Sequence, residues 1–172
     1  MPYTGCGIEV TDVDTEAKAP LGFELIEPAV STGTRAGMGE RVWVYVFQDE
    51  AATALAVGDI VIRDPSAATE DMFGTILAPV TTPAPAISVI GVAQHVIAAG
   101  SYGFVLKKGK GLVKNGTADI TADTPIVSGG DRAGSAIDYA SGTASHLACI
   151  IGMSLEAEAT NNTTFDAYIR VP

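Results

Sequence analysis

Basic side chains are scarce in this sequence. Lysine and arginine together number 10 among 172 residues, against 20 aspartates and glutamates, so the formal net charge is −10. Binding to nucleic acid requires clustered basic side chains that neutralise phosphates, so we expect no nucleic-acid partner. An acidic exterior instead favours solubility and discourages non-specific association.

Cysteine and histidine are equally sparse, with two of each. Cys6 and Cys149 lie far apart in the chain, so they either form one disulfide bond or stay as two thiols. Two isolated histidines and two distant cysteines match no zinc-ligand spacing. We therefore expect neither a metal nor another cofactor.

Long apolar runs are absent as well. No segment approaches the roughly 18 uninterrupted apolar residues of a membrane-spanning helix. Residues 1–5 contain neither a basic region nor an apolar stretch. We therefore expect no signal peptide, no membrane partner, and synthesis in a cytoplasm.

Small and β-branched residues, in contrast, are abundant. The 19 glycines accompany many alanines, valines, isoleucines and threonines, a mixture typical of short β-strands joined by tight turns. The clearest strand is RVWVYVF at 41–47, in which valines alternate with Trp43, Tyr45 and Phe47. Because both of its faces are apolar, we expect it to be covered on both sides by a sandwich, a barrel wall or a neighbouring subunit.

Strands and turn signals that alternate every 8–12 residues or so predict an all-β fold, a small β-barrel or β-sandwich of short antiparallel strands with little helix. We expect residues 31–172 to form this β-domain, residues 1–30 to form an extended N-terminal arm or an edge strand, and the proline-rich segment 78–86 to be a crossover. Lys108-Gly109 predicts a turn between two of the strands. The strands predicted after 41–47 lie at 60–63, 87–93, 102–106, 111–114, 125–127, 147–153 and 165–171.

No catalytic motif is complete in this chain. The glycine- and lysine-rich stretch 103–111 has one residue too many for a phosphate-binding loop, and a strand follows it where such a loop requires a helix. GMSLE at 152–156 has glutamate where a nucleophile elbow requires glycine. Ser154 with His95 or His146 as its base is an alternative that requires spatial adjacency. We expect a protein that is not an enzyme.

Four lysines form the one local departure from the acidic balance: Lys107, Lys108, Lys110 and Lys114. Side chains two residues apart on a strand share a face, so Lys108, Lys110 and Lys114 are expected to project together. They either protect a solvated edge strand against aggregation or form a docking patch for an acidic protein surface.

Short motifs follow one another in a fixed order along most of the chain. A Gly-Thr-Arg loop at 33–35 precedes Gly39, Arg41 and the aromatic strand, and a Gly-Asp turn follows at 58–59. Gly-Val-Ala at 91–93 precedes Gly-Ser-Tyr-Gly-Phe at 100–104, and an Ile-Gly strand and a last strand close the chain. In this order the motifs resemble those of the capsid decoration, or cement, proteins of tailed bacteriophages. Residues 1–30 depart from the family pattern, because the segment ahead of the Gly-Thr-Arg loop is longer than in that family.

The resemblance implies a β-rich structural protein of the virion, bound in many copies to the outside of an icosahedral shell, often as a trimer. It would clamp neighbouring subunits of the major capsid protein against internal DNA pressure, after assembly in the host cytoplasm. Its partners would be the major capsid protein and other copies of itself. The candidate contact residues are Arg35, Arg41, Trp43, Tyr45, Phe47, Tyr102, Phe104, Lys108, Lys110 and Lys114.

A tail or spike domain, or a carbohydrate-binding β-domain, is the alternative function. Aromatic side chains exposed along one rim would favour it, and Tyr3, Tyr102 and Tyr139 are the candidates. Binding to glycans without affinity for capsids would distinguish it from a decoration protein.

Overall fold

The computed structural model describes residues 8–33, 36–50, 52–65, 73–80, 83–116, 119–140 and 147–172. Regular structure in these ranges is almost entirely β-strand, which confirms the all-β prediction. Across the same ranges, no helix is long and apolar enough to cross a membrane. The elements are β1 (Glu24–Glu27), β2 (Arg41–Gln48), β3 (Ile60–Arg63), β4 (Gly74–Leu77), a 3-10 turn (Ala86–Ser88), β5 (Val89–Ala93), β6 (Tyr102–Lys114), β7 (Pro125–Ser128), β8 (Ala136–Asp138), β9 (Ile150–Ser154) and β10 (Thr164–Arg170).

These strands form one sheet in the order β1-β2-β4-β3-β5-β6-β10-β9-β7-β8. An additional pairing of β2 with β6 closes β2, β4, β3, β5 and β6 into a ring of five strands. The pair β2–β4 is parallel, whereas the other neighbours are antiparallel. A purely antiparallel arrangement is therefore wrong for this pair, because the chain passes through β3 before it returns as β4 beside β2.

Aliphatic side chains fill the inside of the ring. Leu55 and Ile97, from two connections, are fully buried there and are joined by backbone hydrogen bonds of 2.9 and 3.1 Å. All five strands of the ring contribute to the same cluster, through Val44, Val46, Val61, Leu77, Ala93 and Val105.

The opposite face of the ring packs against the rest of the sheet. Trp43 and Tyr45 of β2 alternate with Val44 and Val46, so they point away from the interior of the ring. They belong to a second buried cluster, which also contains Phe104, Leu106, Ile126, Ile151, Phe165, Ala167 and Ile169. Elements of the same chain therefore cover both faces of β2, as its apolar pattern predicts.

β6 is one continuous strand of 13 residues, so the predicted turn at Lys108-Gly109 is wrong. Leu106 pairs with Trp43 but Lys108 pairs with Val42, which makes Lys107 an extra residue in the ladder. Such a bulge reverses which side chains face the core without ending the strand. Gly109 suits this geometry, since its φ is +117° and a Cβ there would lie 2.8 Å from the carbonyl oxygen of Glu40.

The described residues before β1 lie against the ring. Ile8 is buried in the second cluster, and Asp14 and Tyr102 exchange backbone hydrogen bonds of 3.0 and 2.8 Å. The backbone N–H of Lys18 donates to the Tyr45 hydroxyl over 3.1 Å. β1 itself is an edge strand that pairs with β2. Residues 1–7 lie outside the described ranges. Of the remaining residues up to 30, those of β1 form an edge strand and those before β1 pack against the ring.

Candidate interaction face

One side of the β6–β10–β9 portion of the sheet faces solvent. Seven residue pairs join the second half of β6 to β10, and the side chains of β10 alternate between the core and solvent. Phe165, Ala167 and Ile169 turn inward. We call the solvent side the outer face; it consists of Lys108, Lys110, Leu112, Lys114, Met153, Thr164, Asp166, Tyr168 and Arg170.

Lys108, Lys110 and Lys114 share the outer face, as predicted from their spacing. Each of them contacts a carboxylate of the same chain. Lys108 pairs with Glu40 over 3.3 Å, Lys110 pairs with Asp166 over 2.6 Å, and Lys114 pairs with the buried carboxylate of Asp59. Lys107, the bulge residue, pairs with Glu24 over 2.9 Å. The lysine group is therefore balanced locally and is not an isolated positive patch.

That these lysines protect a strand edge stays a prediction. β6 pairs with β2 and β5 through its first half, whereas its second half, which carries the three lysines, pairs with β10. The alternative, a docking patch for an acidic surface, stays a prediction.

Large apolar side chains are exposed among these charged groups. Leu112, Met153 and Tyr168 lie on three neighbouring strands, and each retains 37 to 41% of its accessible surface. Tyr168 pairs directly with Met153 on one side and with Lys110 on the other. The outer face thus combines an apolar centre with charged side chains at its margins, which is the usual composition of a protein–protein contact surface.

Arg41 and Trp43, both predicted contact residues, serve the packing of β1 on β2. The carboxylate of Glu27 accepts a hydrogen bond of 2.7 Å from the indole N–H of Trp43 and pairs with Arg41 at 2.7 Å. The Arg41 guanidinium lies 4.9 Å from the centre of the Trp43 ring. Trp43 is buried and Arg41 is mostly buried, so they are engaged within the chain.

The other predicted aromatic contacts form a cluster beside them. Tyr45 and Phe104 are fully buried, so their side chains are core residues and not surface contacts. Burial raises the pKa of the Tyr45 phenol above its ordinary value. Phe47 and Tyr102 are half-buried, with ring centres 4.8 Å apart. Aromatic residues along a strand indicate burial within the chain more directly than contact with a partner. For this reason the sequence pattern alone gave the wrong role to Tyr45 and Phe104.

Several predicted residues lie outside the described residues, namely Tyr3, Cys6, Arg35 and His146. Of the aromatic residues proposed for a glycan-binding rim, Tyr102 and Tyr139 are half-buried. The sulfur of Cys149, which is buried, lies 3.5 Å from the carbonyl oxygen of Pro83.

Ser154, the residue of the incomplete elbow motif, is fully buried. Its hydroxyl donates to the carbonyl of Thr121 over 2.5 Å and accepts from the backbone N–H of Thr124 over 3.1 Å. These bonds give it a structural role, tying the segment before β7 to β9. Among the described residues, no group of three or more histidine, cysteine, aspartate or glutamate side chains is placed to hold a metal ion.

Described residues line a smaller and a larger groove near the outer face and the ring. The smaller, of about 250 Å3, borders the outer face and is lined by Trp43, Gln94, His95, Lys110 and Leu112 among others. Gln94 fixes its wall, because its amide both donates to and accepts from the backbone of Leu112, at 2.9 and 2.8 Å. The larger, of about 570 Å3, lies where Val44, Phe73 and Ile90 of the ring cluster meet Glu24, Arg63 and Lys107.

His95 is the unusual titratable group of the smaller groove. Its Nε2 atom is buried, and none of the described residues offers it a hydrogen-bond partner. Burial lowers the pKa of His95 below its ordinary value of 6.5, although the charge of Asp12 acts in the opposite direction. The imidazole is therefore held in its neutral form near pH 7.

No protein-family model and no curated protein matches the chain. Among solved structures, the fold is similar to that of the N base of the head fiber gp8.5 from bacteriophage phi29, with a TM-score of 0.50 and 16% sequence identity. The similarity covers 74% of this chain and 93% of the fiber base. At this level of identity it shows a shared fold.

Proposed function

We propose that this chain is a structural protein of a phage head. It binds the outer surface of the assembled icosahedral capsid as an oligomer, with a trimer favoured, and clamps neighbouring subunits of the major capsid protein against internal DNA pressure. It carries out no catalysis. The observation that carries the proposal is the similarity of its fold to the base of a phage head fiber. The ordered motifs that resemble those of cement proteins point to the same class of protein.

Stabilisation of the shell follows from selective binding. A protein that binds the assembled shell but not the free subunit lowers the free energy of the shell by mass action. Many copies, each making a weak contact, add up through multivalency. The acidic chain, with a net charge of −10, is also repelled by the phosphates of the packaged DNA.

Co-sedimentation tests this function. Purified protein is mixed with assembled empty shells or with dissociated shell subunits of the phage that encodes it, and shells of an unrelated phage serve as the control. We expect binding to the cognate shells alone, and survival of the decorated shells at temperatures that rupture bare ones. Equal binding to shells and free subunits, or decorated shells that rupture like bare ones, would contradict the clamp.

A base that seats a fiber on the head is the second candidate function, because the similar structure is named as such a base. In the same experiment a fiber base would bind in few copies per shell and leave the rupture temperature unchanged. The number of copies bound therefore separates the two candidates.

A further inference from the structure

We propose that the free edge of β1 receives an extended segment of the major capsid protein as an added strand. This rests on the proposed function, because it names a contact by which one copy is held on the shell. Three observations on the described residues carry it: backbone groups of β1 without partners, an apolar side chain exposed beside them, and an arginine without an ion pair in the adjoining groove.

The pairing of β1 with β2 determines which backbone groups of β1 are free. The backbone N–H of Tyr45 donates to the carbonyl of Phe23 over 2.9 Å, and in an antiparallel pair alternate residues then bond to the partner strand. Leu25 therefore directs its N–H and C=O groups to β2, whereas Glu24 and Ile26 direct theirs away from it. β1 ends the sheet on that side, and among the described residues no backbone group pairs with Glu24 or Ile26 there.

The opposite edge of the sheet, which is β8, is covered by the chain itself. The carbonyl of Ala136 accepts a hydrogen bond of 2.8 Å from the N–H of Gly116. The side chain of Asp138 accepts one of 2.9 Å from the N–H of Thr121. The edge of β1 has no such cover among the described residues, so it offers a template on which another strand can pair.

The side chains at this edge are apolar or already neutralised. Ile26 is 58% exposed, and Glu24, on the same face of β1, pairs with Lys107 over 2.9 Å. Glu24 also lines the larger groove, so the edge borders a depression that contains Val44 and Phe73. When a strand is added to a sheet, backbone hydrogen bonds provide affinity, and pockets for alternate side chains provide specificity. We therefore expect the added strand to carry an apolar side chain beside Ile26.

One charge in the larger groove has no counterpart among the described residues. Arg63, at the exposed end of β3, lines the groove, and no described carboxylate forms an ion pair with it. The pair of Lys107 with Glu24 adds no net charge to the groove. A carboxylate on the incoming segment would complement Arg63. The occupant is therefore an extended peptide that carries an apolar side chain and a nearby carboxylate.

Hydrogen exchange of the backbone amides tests the proposal without any substitution. Assembled shells of the phage that encodes the chain are the probe, and exchange is measured residue by residue on the isolated protein and on the protein bound to shells. We expect the Ile26 amide to exchange as an exposed group in the isolated protein and at least about tenfold more slowly on shells. The Leu25 amide, which bonds to β2, should be protected in both states and is the internal control.

Substitutions at the edge test the same contact through shell binding. Ile26→Pro deletes the outward N–H and leaves the bonds to β2 in place, since proline is compatible with an edge strand whose N–H faces solvent. Ile26→Val is the matched control, because it keeps the N–H and a β-branched apolar side chain. We expect the proline variant to bind shells at least about tenfold more weakly than the valine variant, with a similar melting temperature.

The charge in the groove has its own pair of variants. Arg63→Ala should weaken shell binding by a smaller factor, which shrinks as salt is added, whereas Arg63→Lys keeps the charge and should retain most of the binding.

Equal shell binding by the proline and valine variants would overturn the proposal and leave the proposed function standing. If the proline variant fails to fold, the exchange measurement decides alone. Protection of the Ile26 amide in the isolated protein would also overturn the proposal: protection at every concentration means that the chain covers its own edge, and protection that rises with concentration means that a second copy does. A wild type that does not bind shells would contradict both this proposal and the proposed function.

Discussion

The two halves of β6 belong to one continuous strand but have different surroundings. In the first half, Phe104 and Leu106 face one buried cluster and Val105 faces the interior of the ring. In the second half, Val113 faces the core, whereas Leu112 and the lysines face solvent. One extra residue, Lys107, separates the two halves. Both halves are paired within the sheet, so burial of the second face of the strand is what distinguishes a structural region from a surface available to a partner.

Deletion of Lys107 should have the largest effect, because it removes the extra residue between the two halves of β6. Without the bulge, the register of one half must shift by one residue, and lysines would turn towards the core while Val113 turned outward. We expect loss of the cooperative unfolding transition in urea. Lys107→Gln is the control, because it keeps the number of residues and removes only an exposed pair with Glu24, worth less than about 1 kcal/mol. A deletion variant as stable as this control would show that the bulge does not set the two environments.

Truncation of one side chain should lower the free energy of unfolding far more in the first half of β6 than in the second. Phe104→Ala empties a fully buried position and should lower the free energy of unfolding by about 3–5 kcal/mol. Leu112→Ala removes a side chain that is already partly exposed and should cost less than about 1 kcal/mol. Urea denaturation of the two variants measures the difference, and similar losses would contradict the assignment of the second half as an open surface.

A nearly buried ion pair should contribute more to stability than an exposed ion pair at the second half of β6. Glu27→Gln weakens the carboxylate that holds both Arg41 and Trp43 in a nearly buried site, and should cost about 1.5–3 kcal/mol. Glu40→Gln removes the partner of Lys108, where both side chains are largely exposed, and should cost less than about 1 kcal/mol. Equal losses of stability for the two substitutions in thermal denaturation would contradict the expected effect of burial on the two ion pairs.

The smallest effect concerns His95, which lies in the groove between Trp43 and the outer face. Because burial lowers the pKa of His95, the unfolded chain binds a proton near pH 6.5 that the folded chain does not. The stability due to the neutral imidazole is therefore present above pH 6.5 and is lost as the pH falls through the lower, folded-state pKa. His95→Gln should lose less stability than the wild type between pH 7.5 and pH 5, values set around the ordinary pKa of a histidine. Identical pH profiles would show that His95 is not held neutral by burial.

Local patterns in the sequence predict part of this architecture. The alternation at 41–47 predicts β2 and its burial on both sides, and the two-residue spacing predicts that Lys108, Lys110 and Lys114 share a face. The Gly-Asp motif at 58–59 also has a structural cause. Gly58 has a φ of +87°, and a Cβ there would lie 2.7 Å from the backbone nitrogen of Lys114. Motifs of this kind specify close approaches between strands, so they indicate the fold more directly than the function.

Long-range features could not be predicted from the sequence, because they depend on contacts between residues that are distant in the chain. The pairing of β2 with β6 closes the ring, and it joins segments about 60 residues apart without a local signal. The carboxylate partners of Lys107, Lys108 and Lys114 lie 83, 68 and 55 residues away, so the lysine group looked unbalanced in the sequence. β4 and β8, of four and three residues, were not predicted. The sequence predicts a turn where the structure has the bulge at Lys107, because a glycine at 109 is compatible with a turn and with a bulge.

The most direct test of the proposed role is the number of copies of this chain relative to the major capsid protein in purified particles, measured by quantitative mass spectrometry. We predict a number comparable with that of the major capsid protein, as expected for a protein that covers the shell and clamps its subunits. Absence of the chain from the particles would contradict the account.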